Sequence, residues 1–221
     1  MLTLYHTPLS INSRRVWVAL LEKQLTFDTV EVDLAGDQFK PEFLAMNPFH
    51  HIPVLVDDGF TVIESLAILD YLEAKYPIPS LRPKSPQALA KTRMVEMVTM
   101  NELVPAIAPL TRKMMGFGEV AAEEVEQAKQ KADVVFKFYI QQLGDSSFFG
   151  GDELSLADVV AGTFAPWFGP LGLPMQDYPV LQSWTARLME RPAWQMTQPT
   201  EEALAAFRDR MQKLMAQRRG S

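Results

Sequence analysis

The chain has no cysteine, so it has no disulfide, no thiolate-ligated metal and no cysteine nucleophile. Histidine is nearly as scarce. His6, His50 and His51 are the three in 221 residues. None stands at a metal-ligand spacing with acidic partners, so no resident metal is expected. No apolar run approaches the length needed to span a bilayer. The opening residues MLTLYHTPLS lack a charged segment and a cleavage site, so no secretory signal is expected and the anticipated location is cytoplasmic. Excess positive charge is also missing. Lys and Arg total 21 against 27 Asp and Glu, giving a net charge of −6. That balance argues against nucleic acid and anionic membrane as partners.

Apolar content, at 48%, supports a real core, and 221 residues leave room for one large domain or two modest ones. The most informative stretch is Asn47–Leu72, NPFHHIPVLVDDGFTVIESLAILDYL. Asn47-Pro48 opens it with turn chemistry. Ile52-Pro53 precedes the apolar run 54–56. Asp58-Gly59 is a hairpin signal, and residues 61–63 supply the return strand. A helix then begins at Glu64-Ser65, with Leu66, Ile68, Leu69 and Leu72 at helical spacing. Upstream, residues 2–6 read as a strand and residues 7–13 as a turn-rich loop. A helix is expected from near Asn12 or Ser13, a second strand over residues 27–32, and one helical turn from Pro41.

Pro77, Pro79, Pro83 and Pro86 crowd the next segment, which reads as a linker over residues 77–86. After Ser85 the chain is helical. Ser85-Pro86 is a cap and first-position pair. One helix is expected toward Met115, bent at Pro105 and Pro109, and another over 119–143. Ser155-Leu156-Ala157-Asp158 is a capping box with Leu154 and Val159 placed as a hydrophobic staple. It is read as a stability element that starts a helix through Phe164 and Trp167. A last helix is expected over 200–219, with Glu201-Glu202 in its first turn and Arg218-Arg219 in its last, complementing the dipole. Gly220-Ser221 reads as a cloning remnant.

The Asn47–Leu72 stretch carries features suited to a small anionic peptide. A cis bond at Pro53 would turn the Ile52 backbone outward as an edge for an extended ligand. Ser65 stands at a helix start, where free N–H groups favour a carboxylate. Glu64 beside it suits an ammonium group. A γ-glutamyl group carries both charges.

The ordered pattern NPxxxIPVLxDxGFxxxESxAIxxYL resembles the glutathione-binding half of the cytosolic glutathione S-transferases, and the resemblance extends over essentially the whole chain. It implies a thioredoxin-like domain (βαβ-α-ββα) over residues 1–76 and an all-helical domain over residues 87–221. It also implies glutathione as co-substrate, a hydrophobic electrophile and a homodimer. Pro8-Leu9-Ser10-Ile11-Asn12-Ser13 is similar to the loop of the serine-type classes (theta, delta and chi-like), which makes Ser10 the expected catalytic residue and leaves Ser13 as the helix cap. The absence of cysteine excludes the cysteine-type transferases, and the Ser-Ser-Cys loop of the zeta-type isomerases is not present.

By the same resemblance His50 meets the glycyl carboxylate, with His51 beside it. Ile52, before Pro53, pairs with the cysteinyl residue, and Glu64 and Ser65 hold the γ-glutamyl end. Gln38 and Leu66 depart from the delta pattern, which has His and Arg there. The electrophile pocket is expected from Met97, Asn101, Val104, Met114, Met115, Phe117, Phe164, Trp167 and Phe168. Twelve methionines suit an adaptable apolar surface. Phe49 is the expected wedge into a partner subunit. Besides conjugation, two further readings remain open: a non-catalytic binding module on the same fold, and a glutathione-dependent isomerase or peroxidase.

Overall fold

The computed structural model describes residues 1–34, 36–207 and 209. The chain divides into two compact units. One is Met1–Arg82 with Arg191–Gln198; the other is Pro83–Glu190 with the described residues from Pro199 onward.

The first unit contains β1 (Leu2–His6), α1 (Ile11–Glu22), β2 (Phe27–Glu31), α2 (Pro41–Met46), β3 (Val54–Asp57), β4 (Phe60–Ile63) and α3 (Ser65–Lys75). The sheet order is β2-β1-β3-β4. β1 and β2 are parallel, whereas β1–β3 and β3–β4 are antiparallel. This is the thioredoxin-like arrangement. Side chains alternate across the strands. Leu2, Leu4 and Leu55 therefore pack with Val16, Leu20, Ile68 and Leu72 on one face. On the other face Val54 packs with Val32, Phe43 and Ile52. Asp58 and Gly59 both have positive φ, as a two-residue hairpin loop of this twist requires.

The first unit extends past the expected boundary at 76. Glu73 and Lys23 form a fully buried pair at 2.5 Å. Lys23 also donates to the Pro79 carbonyl, and Glu73 accepts from the Ser80 hydroxyl and the Leu81 N–H. A buried charge pair needs its remaining donors and acceptors satisfied, and here the residues after α3 satisfy them. Arg82 then pairs with Asp70. The unit also takes in residues 191–198. Arg191 forms a two-pronged pair with Glu22, and buried Arg14 donates to the Trp194 carbonyl and the Thr197 hydroxyl. Burial holds the Arg14 pKa down at about 10.

The second unit contains α4 (Pro86–Val98), α5 (Val104–Met114), α6 (Ala122–Leu143), α7 (Leu156–Gly162) and α8 (Pro179–Met189). The expected bent helix from Pro86 toward Met115 is instead two helices joined by a π-helical turn, Thr99–Leu103. Pro105 has no N–H to return to the Asn101 carbonyl and its ring crowds that carbonyl, so a widened turn forms just ahead of it. α7 stops at Gly162, short of the expected Phe164 and Trp167. Pro166 cannot donate to the Gly162 carbonyl, and a short 3₁₀ turn over Ala165–Trp167 follows. α6 starts at Ala122 rather than 119, and β2 ends one residue before 32.

Asp158 is the polar centre of this unit. Fully buried, it accepts from the N–H groups of Phe149 and Ser155, the Ser155 hydroxyl and Trp184 Nε1, all at 2.8–2.9 Å. Burial raises its pKa against the opposing pull of those bonds. The expected capping box is thus built, and aromatic packing surrounds it through Phe149 on Trp184 and Tyr139 on Phe149. Of the expected last helix, residues 201–207 are helical. Arg218, Arg219, Gly220 and Ser221 lie outside the described residues. Among the described residues no helix is long and apolar enough to cross a membrane, and no group of three acidic or histidine side chains could hold a metal.

Candidate active site

α3 opens without a side-chain cap. Glu64 occupies the cap position at φ 66° and ψ 114°, and its carboxylate makes no bond to the first turn. The first N–H groups of a helix have no intrahelical partner. Here no side chain at the cap accepts from them, and they carry the positive end of the helix dipole. Ser65, the first helical residue, is nearly buried, and its Oγ accepts a hydrogen bond from Arg15 Nη1 at 3.2 Å.

This helix start forms one wall of a cleft of about 290 Å³ lined by Asn12, Leu34, His50, His51, Ile52, Pro53, Glu64 and Ser65. The Ile52–Pro53 bond is cis. The loop ahead of it is held by Asn47, whose side chain donates to the His51 carbonyl and accepts the Phe49 N–H. His50 has positive φ and lies against the Phe39 ring. Six residues expected from sequence to bind one ligand therefore share one cavity.

Other expected positions fall elsewhere. Gln38 is buried and donates from Nε2 to the Leu34 carbonyl at 2.8 Å, so it does not line the cleft. Phe49 is 59% exposed and is not a core residue. Ser10 is not among the lining residues, but it caps α1 two positions before Asn12, which is. The expected cap therefore moves from Ser13 to Ser10. Ser10 has extended backbone and its Oγ accepts the Ser13 N–H at 3.2 Å, so α1 starts at Ile11. Ser13 lies inside the first turn with its hydroxyl buried and without a hydrogen-bond partner among the described residues. The loop turns at Thr7, whose carbonyl accepts the Ser10 N–H. That turn places Ser10, not Ser13, at the boundary.

The nine positions expected to receive an electrophile divide by burial. Phe168 is 0% exposed and packs on Phe136, and Phe164 and Met115 are also core side chains. Met97, Asn101, Val104, Met114, Phe117 and Trp167 retain exposed surface. A cavity of about 230 Å³ in the helical unit, beside Phe136 and Tyr178, is lined by none of the nine. Asn12 and Leu34 line the cleft and Arg15 bonds to Ser65 of its wall, and none of the three was expected. Asn12 and Leu34 carry no local signal that distinguishes them from ordinary helix and loop residues. Arg15 reads in sequence as a polar residue in a helix start, and only packing shows it buried.

Residues 4–85 match the family description "Glutathione S-transferase, N-terminal domain", and residues 69–192 match "Glutathione S-transferase, C-terminal domain". The chain belongs to the glutathione S-transferase family. It is 35% identical over 211 residues to Glutathione S-transferase F10 of Arabidopsis thaliana, covering 87% of this chain and 94% of the relative. It is 31% identical to the maleylacetoacetate isomerase of Rattus norvegicus, covering 86% and 88%. Among solved structures, a delta-class glutathione transferase of Nilaparvata lugens matches with a TM-score of 0.81 and 27% identity, covering 95% and 97%.

Proposed function

We propose that the cleft binds glutathione and that the protein transfers the glutathione thiolate to hydrophobic electrophiles such as organic halides and isothiocyanates. The observation that carries this reading is the shared cavity. It joins an open helix N-terminus, a carboxylate at Glu64, two imidazoles and the backbone beside Pro53. The α-carboxylate of the γ-glutamyl group binds Ser65 and the first N–H groups of α3. Its ammonium pairs with Glu64, the Ile52 backbone pairs with the cysteinyl residue, and His50 with His51 receives the glycyl carboxylate.

Ser10 is the thiolate-stabilising residue in this reading. Its oxygen already accepts the Ser13 N–H, so its hydrogen is left to donate to sulfur. A free thiol with pKa of about 8.5 is only roughly 3% thiolate at pH 7. Lowering that pKa by about two units takes roughly 2.7 kcal/mol. One charge-assisted bond and the α1 dipole supply that amount. The thiolate then attacks the electrophilic carbon, a new carbon–sulfur bond forms, and the halide departs with the bonding pair. With an isothiocyanate, the thiolate adds to the central carbon and nitrogen takes the proton. Met97, Asn101, Val104, Met114, Phe117 and Trp167 supply the electrophile's contacts. Glutathione is the co-substrate, no metal takes part, the protein works as a cytoplasmic homodimer, and Phe49 enters the partner subunit.

Isomerisation is the second reading, favoured by the 31% identity to an isomerase. Against it, the loop reads Ser10-Ile11-Asn12-Ser13 with no cysteine. The deciding experiment measures glutathione consumption with an aromatic halide and with an isothiocyanate, beside a cis–trans isomerisation assay. Conjugation of either electrophile is expected. Tight glutathione binding with neither conjugation nor isomerisation would make the protein a binding module. Sedimentation of Phe49→Ser is expected to show a weakened dimer, and a monomeric wild type would overturn the assembly.

A further inference from the structure

The cleft has an imbalance of charge. Among the described residues that line it there is one carboxylate, Glu64, and no lysine or arginine. A ligand carboxylate bound at the start of α3 lies beside Glu64 with only the dipole and neutral donors in front of it. A cation is nevertheless present one layer deeper. Arg15, on the second turn of α1, is 0% exposed and donates through Nη1 to Ser65 Oγ at 3.2 Å. Ser65 belongs to the cleft wall. One guanidinium therefore touches the hydroxyl that lines the ligand cavity from its protein side.

We propose that Arg15 is the positioning residue of the γ-glutamyl carboxylate subsite, holding the Ser65 hydroxyl toward the ligand and supplying the positive charge that the cleft surface lacks. The inference rests on the glutathione reading of the cleft and extends it to a residue that the ligand does not touch. Two effects follow from the geometry. A serine oxygen has two acceptor sites and one donor hydrogen. With Arg15 filling an acceptor site, the hydrogen remains for the ligand carboxylate. The guanidinium also keeps its charge at every relevant pH, and its burial removes it from screening by salt. Its field acts on the same carboxylate, in the same direction as the α3 dipole. A lysine there would carry the charge without the planar fork that fixes the geometry.

The test compares two ligands, glutathione and 4-aminobutyryl-cysteinyl-glycine, which lacks the α-carboxylate and is otherwise the same. Titration calorimetry of the wild type is expected to favour glutathione. In Arg15→Met, glutathione affinity is expected to fall about tenfold or more while affinity for the decarboxylated peptide holds within about twofold. Arg15→Lys is expected to recover part of the lost discrimination. An equal loss for both ligands in Arg15→Met would show a merely structural arginine and overturn the proposal. If Arg15→Met does not fold, Arg15→Lys is measured alone and together with Ser65→Ala. A loss of discrimination that disappears when Ser65 is absent supports the proposal, and the same loss in both backgrounds overturns it. A wild type that binds neither peptide refutes the glutathione reading itself. A wild type that discriminates, beside an Arg15→Met protein that discriminates as well, refutes only the role of Arg15.

Discussion

At the start of α7, Ser155 and Asp158 close on each other. Asp158 takes the Ser155 hydroxyl and N–H, together with donors from Phe149 and Trp184, and the whole group is buried. At the start of α3, Glu64 has positive φ and no bond to the first turn, and Ser65 faces a cavity. Both helices begin on a Glu/Asp and Ser combination, yet one terminus is sealed from within and the other is left open. A sealed terminus contributes to folding, because these four donors find their acceptor inside the chain. An open terminus leaves its donors to solvent or to a ligand, and that is the arrangement an anion site requires. α1 lies between the two cases. Ser10 accepts one N–H from its own helix and keeps its hydrogen for another acceptor.

Breaking the sealed terminus has the largest expected effect. Asp158→Ala strands the buried Trp184 Nε1 and the Phe149 and Ser155 N–H groups. Each lost partner costs about 1–3 kcal/mol, so a total destabilisation of roughly 3–5 kcal/mol is expected in urea unfolding. Glutathione affinity of the fraction that remains folded is expected to stay near wild type. A loss below about 1 kcal/mol would mean that the sealed terminus is not a folding element.

The open terminus is expected to respond the other way. If the cleft binds glutathione as proposed, Ser65→Ala or Glu64→Ala is expected to remove a charge-assisted contact of roughly 1.5–3 kcal/mol. Calorimetry is expected to show affinity reduced about tenfold or more, with the unfolding stability of Glu64→Ala within about 0.5 kcal/mol of wild type and that of Ser65→Ala lower by about 1–3 kcal/mol, because buried Arg15 loses an acceptor. Unchanged affinity in both variants would place the γ-glutamyl end elsewhere.

α1 sharpens the comparison at the smallest scale, since its cap should show both effects. Ser10→Ala is expected to cost about 0.5–2 kcal/mol of stability as a lost cap. It should also raise the pKa of bound glutathione and cut turnover at neutral pH. The sign is fixed by the thiol. Thiolate forms unaided above its free pKa of about 8.5, so the turnover deficit is largest near pH 6.5 and shrinks as pH rises. Ser13→Ala removes a buried hydroxyl with no hydrogen-bond partner among the described residues and is expected to change stability by less than about 0.5 kcal/mol. A pH–rate profile with the thiolate absorbance, run beside unfolding, checks all of this. Full turnover of Ser10→Ala at pH 6.5 would assign thiolate stabilisation to the backbone and dipole alone.

Much of the fold was legible because its signals are local. Asp58-Gly59 made the hairpin, Ser85-Pro86 opened a helix, and Ser155 with Asp158 carried a capping box, each through chemistry confined to a few residues. The span Ile52–Ser65 was legible as one supersecondary unit for the same reason, since its strands, turn and helix start are consecutive. Expectations failed where a choice depended on geometry across residues. Ser10 and Ser13 are chemically alike, and the turn at Thr7 decides which one caps. Gln38, Phe164 and Phe168 had suitable side chains, and tertiary packing buries all three.

By itself, then, the sequence determined what hydrogen bonds and hydrophobic period within one segment can determine: the order of elements, the hairpin, the helix starts and the absence of cysteine chemistry. Tertiary structure alone decided the rest. It set Arg15 behind Ser65 across 50 residues, and Asn12 and Leu34 beside Pro53. It also bound residues 79–82 and 191–198 into the first unit through Lys23, Arg14 and Glu22. Those contacts follow from how α1 packs between the start of α3 and distant chain. Long-range packing of that kind leaves no periodicity or spacing in the sequence, because its partners meet only after the sheet and its helices have assembled.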